Sequence, residues 1–107
     1  LVTRSTKLLG RTVRLQLRCP HGGQCTGVIK LRTAVRVRSA SRQRITLGAK
    51  AFQIPANGRR TTPITVSRRI ARALRTRSHV PLNAFITSRD EAGRSTFSRE
   101  RITLRTR

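Results

Sequence analysis

The side chains in this sequence best equipped to do chemistry are arginines, and three clusters of them stand out. Arg32, Arg36 and Arg38, with Arg42 and Arg44, lie on two consecutive segments that can pair across a hairpin into one basic surface. Arg59 and Arg60 follow a Gly turn. Arg68, Arg69, Arg72 and Arg75 share the polar side of a short helical stretch, with Arg77 just beyond it. A guanidinium is a planar fork of donors that grips phosphate, sulfate or carboxylate through two hydrogen bonds. These positions are the candidate polyanion contacts. Directly opposed like charges destabilise a bare sheet, so an anion bound over the strand cluster would relieve repulsion there.

Cys19 and Cys25 are the only cysteines, with five residues between them in a turn that joins two strands. Their spacing favours a disulfide, which on the chain-entropy model would stabilise the fold by about 2–3 kcal/mol. A zinc site built from Cys19, His21, Cys25 and His79 is one alternative, although the spacing is wider than structural zinc uses. Free thiols are the other.

The stock of bases is small: His21, His79, Asp90, Glu91 and Glu100. A catalytic site needs a nucleophile, a base and an orienting group. Asp90 stands in a turn motif where a carboxylate bonds its own backbone. Glu100 lies between Arg99 and Arg101, where an ion pair is its natural role. The expectation is no catalytic residue, no metal and no cofactor.

Composition agrees. The 107 residues carry 25 Lys and Arg against 3 Asp and Glu, so 25 − 3 leaves a formal net charge of +22. A domain so charged repels itself and recruits polyanions. Only Lys7, Lys30 and Lys50 are lysines, which leaves 25 − 3 = 22 arginines. A GC-rich genome would inflate arginine, but it supplies Asp and Glu just as easily, so the missing acids are the stronger signal. There is no Trp and no Tyr, and Phe52, Phe85 and Phe97 are the only aromatic residues. Proteins that hold single strands stack bases on aromatic platforms. At most one or two Phe remain after the core is filled, so sequence-specific single-strand recognition is not expected. Backbone contact with a duplex, or with another repeating polyanion, passes that test.

These side chains must be positioned by strands, because the dominant period from Arg11 is two. Val13, Leu15 and Leu17 alternate with Arg14, Gln16 and Arg18; Ile29, Leu31 and Thr33 alternate with Lys30 and Arg32; Val35 and Val37 continue the pattern. Ile45, Leu47 and Ala49 form a further strand whose phase slips to Phe52 and Ile54, predicting a bulge near Ala51. Thr62, Ile64 and Val66 follow the turn at Pro55–Gly58. Val80, Leu82, Ala84 and Ile86 make another strand, with Pro81 at an edge or a strand start. The turn at Asp90–Gly93 precedes a last strand carrying Ile102 and Leu104. Residues 67–75 break the period: Ser67 is placed as an N-cap and Ile70 and Leu74 fall four apart, predicting a short helix. About seven short antiparallel strands with one connecting helix argue for a single all-β sandwich over residues 11–107.

In that order the residues resemble a known kind of module. A Cys-Pro-x-Gly-x-x-Cys-x-Gly hairpin (Cys19, Pro20, Gly22, Cys25, Gly27) is followed by a basic strand, an Ile-Thr-Leu-Gly-x-x-x-Phe-x-Ile strand from Ile45 to Ile54 and a Gly turn. A Leu-bearing helix comes next, and then a strand ending in Asp90-Glu91-Ala92-Gly93. The pattern is similar to the Arg-rich, immunoglobulin-like β-sandwich modules of secreted actinobacterial proteins. The resemblance covers about residues 10–105. It implies an extracellular, disulfide-bearing immunoglobulin-like sandwich with no enzymatic activity. The sequence departs from those modules in its shortage of acids, which argues against a simple spacer.

Residues 1–10 show no period and no apolar signal core, and the first residue is Leu, which fits a processed chain or a fragment. The segment is expected to dock on a neighbouring subunit, adding a strand to its sheet and building a homo-oligomer or filament. The leading function is a secreted or cell-surface protein that coats nucleic acid, duplex DNA foremost, through sequence-independent arginine–phosphate contacts. The alternative is a structural or adhesive surface module bound to acidic polysaccharide or teichoic acid. An intracellular RNA-binding protein is a third reading, weakened by the paired cysteines. Membrane insertion is not expected, since no segment approaches the ~20 apolar residues of a span.

Overall fold

A computed structural model describes residues 4–19, 23–34, 46–56 and 58–107. It contains β1 (Ser5–Lys7), β2 (Thr12–Arg18), β3 (Cys25–Thr33), β4 (Thr46–Ile54), β5 (Arg59–Thr65), α1 (Arg68–Leu74), β6 (His79–Asp90) and β7 (Ser95–Arg105). Five strands form one sheet in the order β1-β7-β6-β3-β4, and β2 and β5 form a second. The chain changes sheet between β1 and β2, β2 and β3, β4 and β5, and β5 and β6. That alternation gives an immunoglobulin-like β-sandwich.

Period-two patterning produces this arrangement directly. Val13, Leu15 and Leu17 of β2 and Ile64 of β5 are buried, and they meet buried Ile29, Leu31, Leu82, Ala84, Ile102 and Leu104 from the larger sheet. The polar residues between them are left on the outer faces, because successive side chains of a strand point to opposite sides. β6 is the spine of the larger sheet, paired with β3 on one side and β7 on the other. Its 12 residues extend about 40 Å, most of the molecule's 44 Å long axis. Pro81 lies near the start of β6, where its missing N–H costs the ladder little; it does not mark an edge.

Several details differ from the sequence-based expectation. β1 runs parallel to β7, with Ser5 opposite Thr103 and Lys7 opposite Arg105, so one pairing in the sandwich is not antiparallel. The segment expected to dock on a neighbour is therefore already engaged within its own chain. Leu8 is buried beyond it, and the N–H of Leu8 donates to the Arg105 carbonyl at 2.8 Å. The register slip lies between Leu31 and Arg32 opposite Leu47, not near Ala51. Gly48 stands just beyond it at φ 154°, and a Cβ there would come within 3.2 Å of Ile64. The last strand starts at Ser95, well before Ile102. Val35, Val37 and Ile45 lie outside the described residues.

Two covalent or local devices close the ends. Cys19 and Cys25 form a disulfide with Cα atoms 6.0 Å apart. It joins the end of β2 to the start of β3, and so ties one sheet to the other. At α1, Ser67 accepts a hydrogen bond from the Ile70 N–H at 3.2 Å, as expected of the N-cap. Ala71, Ala73 and Leu74 are buried beneath the helix and Ile70 packs at its margin. Gly27 marks a close approach: a Cβ there would fall 2.0 Å from the Thr87 carbonyl and 2.9 Å from the Phe52 ring. Only glycine fits between these neighbours.

Candidate functional site: a cationic face on the larger sheet

The outer face of the five-stranded sheet is the most distinctive surface of the molecule. Its residues follow from the register. Across one row stand Arg101, Asn83 and Arg32, and across the next Arg99, Phe85, Lys30 and Ala49. The third row holds Phe97, Thr87, Val28 and Ala51, and the fourth Ser95, Arg89, Thr26 and Gln53. Lys7 and Arg105 extend the face onto β1. Lys7, Lys30, Arg32, Arg89, Arg99, Arg101 and Arg105 are all exposed.

The chain's three acids are kept off this face. Asp90 pairs with Cys25 and Glu100 with Ala84, both in the inward phase, and Glu91 sits in the hairpin turn. Glu100 therefore lies on the opposite side of the sheet from Arg99 and Arg101, its neighbours in sequence. Alternation overrides sequence adjacency there. Asp90 accepts from the Arg94 N–H at 2.9 Å and from the Arg94 Nε at 2.9 Å. The backbone N–H of Arg94, and then its guanidinium, hold the Asp90 carboxyl below its ordinary range. Glu91 accepts from the Gln24 N–H at 3.2 Å.

In the first two rows the cations form two columns with neutral β6 residues between them, while in the fourth row β6 itself carries a cation, Arg89. Arg99 and Arg101 on β7 are separated from Lys30 and Arg32 on β3 by Phe85 and Asn83 on β6. Two strand spacings put the columns about 10 Å apart. Lys7 on β1 stands directly opposite Arg105, whereas Arg99, Arg101, Lys30 and Arg32 each face a neutral residue on β6, which spares those four the largest like-charge penalty. Arg101 is partly oriented by its Nε, which donates to Asn83 Oδ1 at 3.3 Å. Phe85 and Phe97 lie diagonally across β6 and β7, their ring centroids 6.5 Å apart and stacked at 28°. Phe97 is 67% exposed, whereas Phe52 is spent in the core at 8%. Two of the three phenylalanines are thus at the surface.

Of the arginines singled out in the sequence, Arg32 alone belongs to this face. Arg36, Arg38, Arg42 and Arg44 lie outside the described residues. Arg59 stands opposite Arg18 on the smaller sheet, and Arg60 is used locally, its Nε donating to the Gln53 carbonyl at 3.2 Å. Arg68, Arg69 and Arg72 are exposed on α1. Arg75 donates to the Gly10 carbonyl, which pins the helix end to the turn before β2. Arg77 is exposed, while its carbonyl accepts from Thr106. Sequence reasoning missed Lys7, Lys30, Arg89, Arg99, Arg101 and Arg105. The signal for the β7 residues was present: Phe97, Arg99, Arg101, Thr103 and Arg105 alternate through a strand read only from Ile102 onward.

The candidate bases are dispersed. His79 and Asp90 occupy opposite ends of β6, and His79 Nδ1 lies 3.2 Å from the adjacent Ser78 Oγ. His21 lies outside the described residues. The disulfide occupies both sulfurs that a Cys19, His21, Cys25 and His79 metal site would need. Among the described residues no cluster of three or more His, Cys, Asp or Glu is placed to hold a metal. A cavity of about 370 Å³ opens between the disulfide, β4 and the far end of β6 and β7, lined by Arg18, Phe52, Ile86, Ser98 and Glu100. It holds one carboxylate and no histidine. Among the described residues no helix is long and apolar enough to cross a membrane. No protein-family model and no curated protein matches this sequence.

Proposed function

We propose that this chain is a non-enzymatic, secreted protein that binds nucleic acid at its phosphates without reading base sequence. The observation that supports this reading is the segregation of charge on the larger sheet. Cations occupy the outer face, while Asp90, Glu91 and Glu100 lie in the turn or on the inner side. A mixed surface would neutralise itself; this one presents a continuous positive field to a polymer that carries regularly spaced negative charge. Arginine forks and neighbouring Thr hydroxyls supply phosphate contacts, which position a protein on a backbone without specifying sequence. The disulfide supports an oxidising, extracellular setting. A filament built through residues 1–10 is not part of the proposal.

The test is a salt series on the purified chain with a labelled mixed-sequence nucleic acid. With ~6–10 phosphate contacts, affinity falls by about 10³–10⁵ between 50 and 200 mM salt. A flat response rejects the reading. Competition with an acidic polysaccharide separates the nucleic-acid partner from the cell-surface alternative: displacement at equal charge concentration would favour the glycan.

A further inference from the structure

We propose that the outer face of the larger sheet holds single-stranded nucleic acid, with bases stacked on Phe97 and Phe85 and phosphates gripped by Arg99, Lys30, Arg101 and Arg32. The proposal rests on the nucleic-acid reading above and names the form of the polymer. It departs from the duplex that composition alone favours, because the structure sets two of the three phenylalanines side by side on the outer face among the cations.

Isolated exposed apolar side chains are ordinary on protein surfaces. Here, however, the large apolar residues exposed among the described ones are Leu9, Val28 and Phe97, and the last two share this face. Phe97 stacks against Phe85, so the rings form one platform, and that platform stands within the cationic field. Phe85 has Arg99 directly across on one neighbouring strand and Lys30 directly across on the other. The strands that carry these cations run one strand spacing, about 4.8 Å, to either side of Phe85, so a base stacked there has a cation on each flank for its phosphates. Stacking on aromatics inside a positive groove is how proteins hold single strands with little sequence preference, since every base has a π face. A duplex buries its bases against one another and would leave the two rings without partners.

Charge complementarity also selects the occupant. A second copy of this chain docking through the same face would set arginines against arginines, with no acid on either side to offset them. An acidic glycan would satisfy the cations but offers the rings no π face. A strand with unpaired bases brings both a charged backbone and π faces.

The experiment compares three fluorescently labelled probes of about 16 nucleotides with the full chain: a mixed-sequence single strand, the matching duplex, and an abasic strand of equal charge. The single strand is expected to bind about 5- to 150-fold more tightly than the abasic strand, the range that one stacked base supplies. Phe97→Ala should bring single-strand affinity down toward that of the abasic strand, and Phe97→Trp should keep it high. With no Trp or Tyr in the native chain, a fluorescent base analogue in the single strand reports stacking against a dark background, and Phe97→Ala should abolish its response. Equal binding of the abasic and base-bearing strands would overturn the stacking proposal and leave the phosphate-binding function intact. Tighter binding to the duplex, unaffected by Phe97→Ala, would do the same. Failure of all three probes to bind would remove both readings.

Discussion

The two faces of the larger sheet are built from alternate residues of the same strands, yet they share almost no chemistry. The inner face carries Ile29, Leu31, Leu82, Ala84, Ile102 and Leu104, all buried. The outer face carries Lys30, Arg32, Asn83, Phe85, Arg99 and Arg101 at the intervening positions. The inner face tolerates an acid at its margin, at Glu100; the outer face has none among the described residues. A period of two thus does more than bury a core. In a chain with only three acids, the phase in which each acid falls decides whether the exposed surface is mixed or wholly cationic. The smaller sheet presents a sparser outward row: Arg18 and Arg59 face each other directly, Gln16 pairs with Thr61, and Arg14 pairs with Pro63.

Removing inner-face packing should have the largest effect on stability. Leu82 sits on the central strand with no exposure, so Leu82→Ala should lose about 2–5 kcal/mol. Arg101→Ala, on the opposite side of the same sheet, should stay within about 0.5 kcal/mol of the parent. Urea unfolding of both variants checks the contrast, and comparable losses would break it. Next in size is the disulfide that joins the sheets. Replacing Cys19 and Cys25 by serine should cost about 2–3 kcal/mol, read as a lower denaturation midpoint, without altering how the folded fraction responds to salt when it binds.

The outer face is probed by function. Arg99→Ala combined with Arg101→Ala should weaken nucleic-acid binding uniformly across sequences and flatten the salt slope by about 2. The comparison is sharpened by Arg68→Ala, Arg69→Ala and Arg72→Ala together on α1, expected to change the slope by less even though more charge is removed. A larger change there would move the binding surface to the helix. The smallest effect belongs to Asp90. Its folded-state carboxyl is lowered by the Arg94 N–H, then by the guanidinium, so its contribution is complete above the unfolded value near ~4. That contribution is lost as pH falls through the lower folded value. Asp90→Asn should therefore unfold slightly more easily than the parent at neutral pH, with the gap closing in acid. The pair is an exposed one, which keeps the difference small.

Much of the fold was legible because burial in a sandwich is a one-dimensional signal. Val13, Leu15 and Leu17, the Ser67 cap, the Asp90–Gly93 turn and the Cys19–Cys25 bridge all follow from residues within a few positions of one another. The bulge was misplaced, since either Leu47 or Ala51 can absorb a slipped phase and only the pairing of β3 with β4 chooses between them. The candidate site was less legible. Clusters close in sequence drew attention to Arg59, Arg60 and the helix, whereas the cationic face gathers single residues from β1, β3, β6 and β7. Arg99 and Lys30 are far apart in sequence, yet they flank the same ring.

The all-β class, the residues that alternate inward, the cross-linked turn and a strongly positive net charge were already carried by the sequence. All of these depend on residue type and local spacing, which the chain carries wherever it goes. Tertiary structure alone decided which strands are neighbours, because register is set by how two hydrophobic faces fit and not by any one segment. From that register came the parallel seat of β1 and the exile of the three acids from the outer face. It also decided that Phe85, between two columns of cations, meets the exposed ring of Phe97.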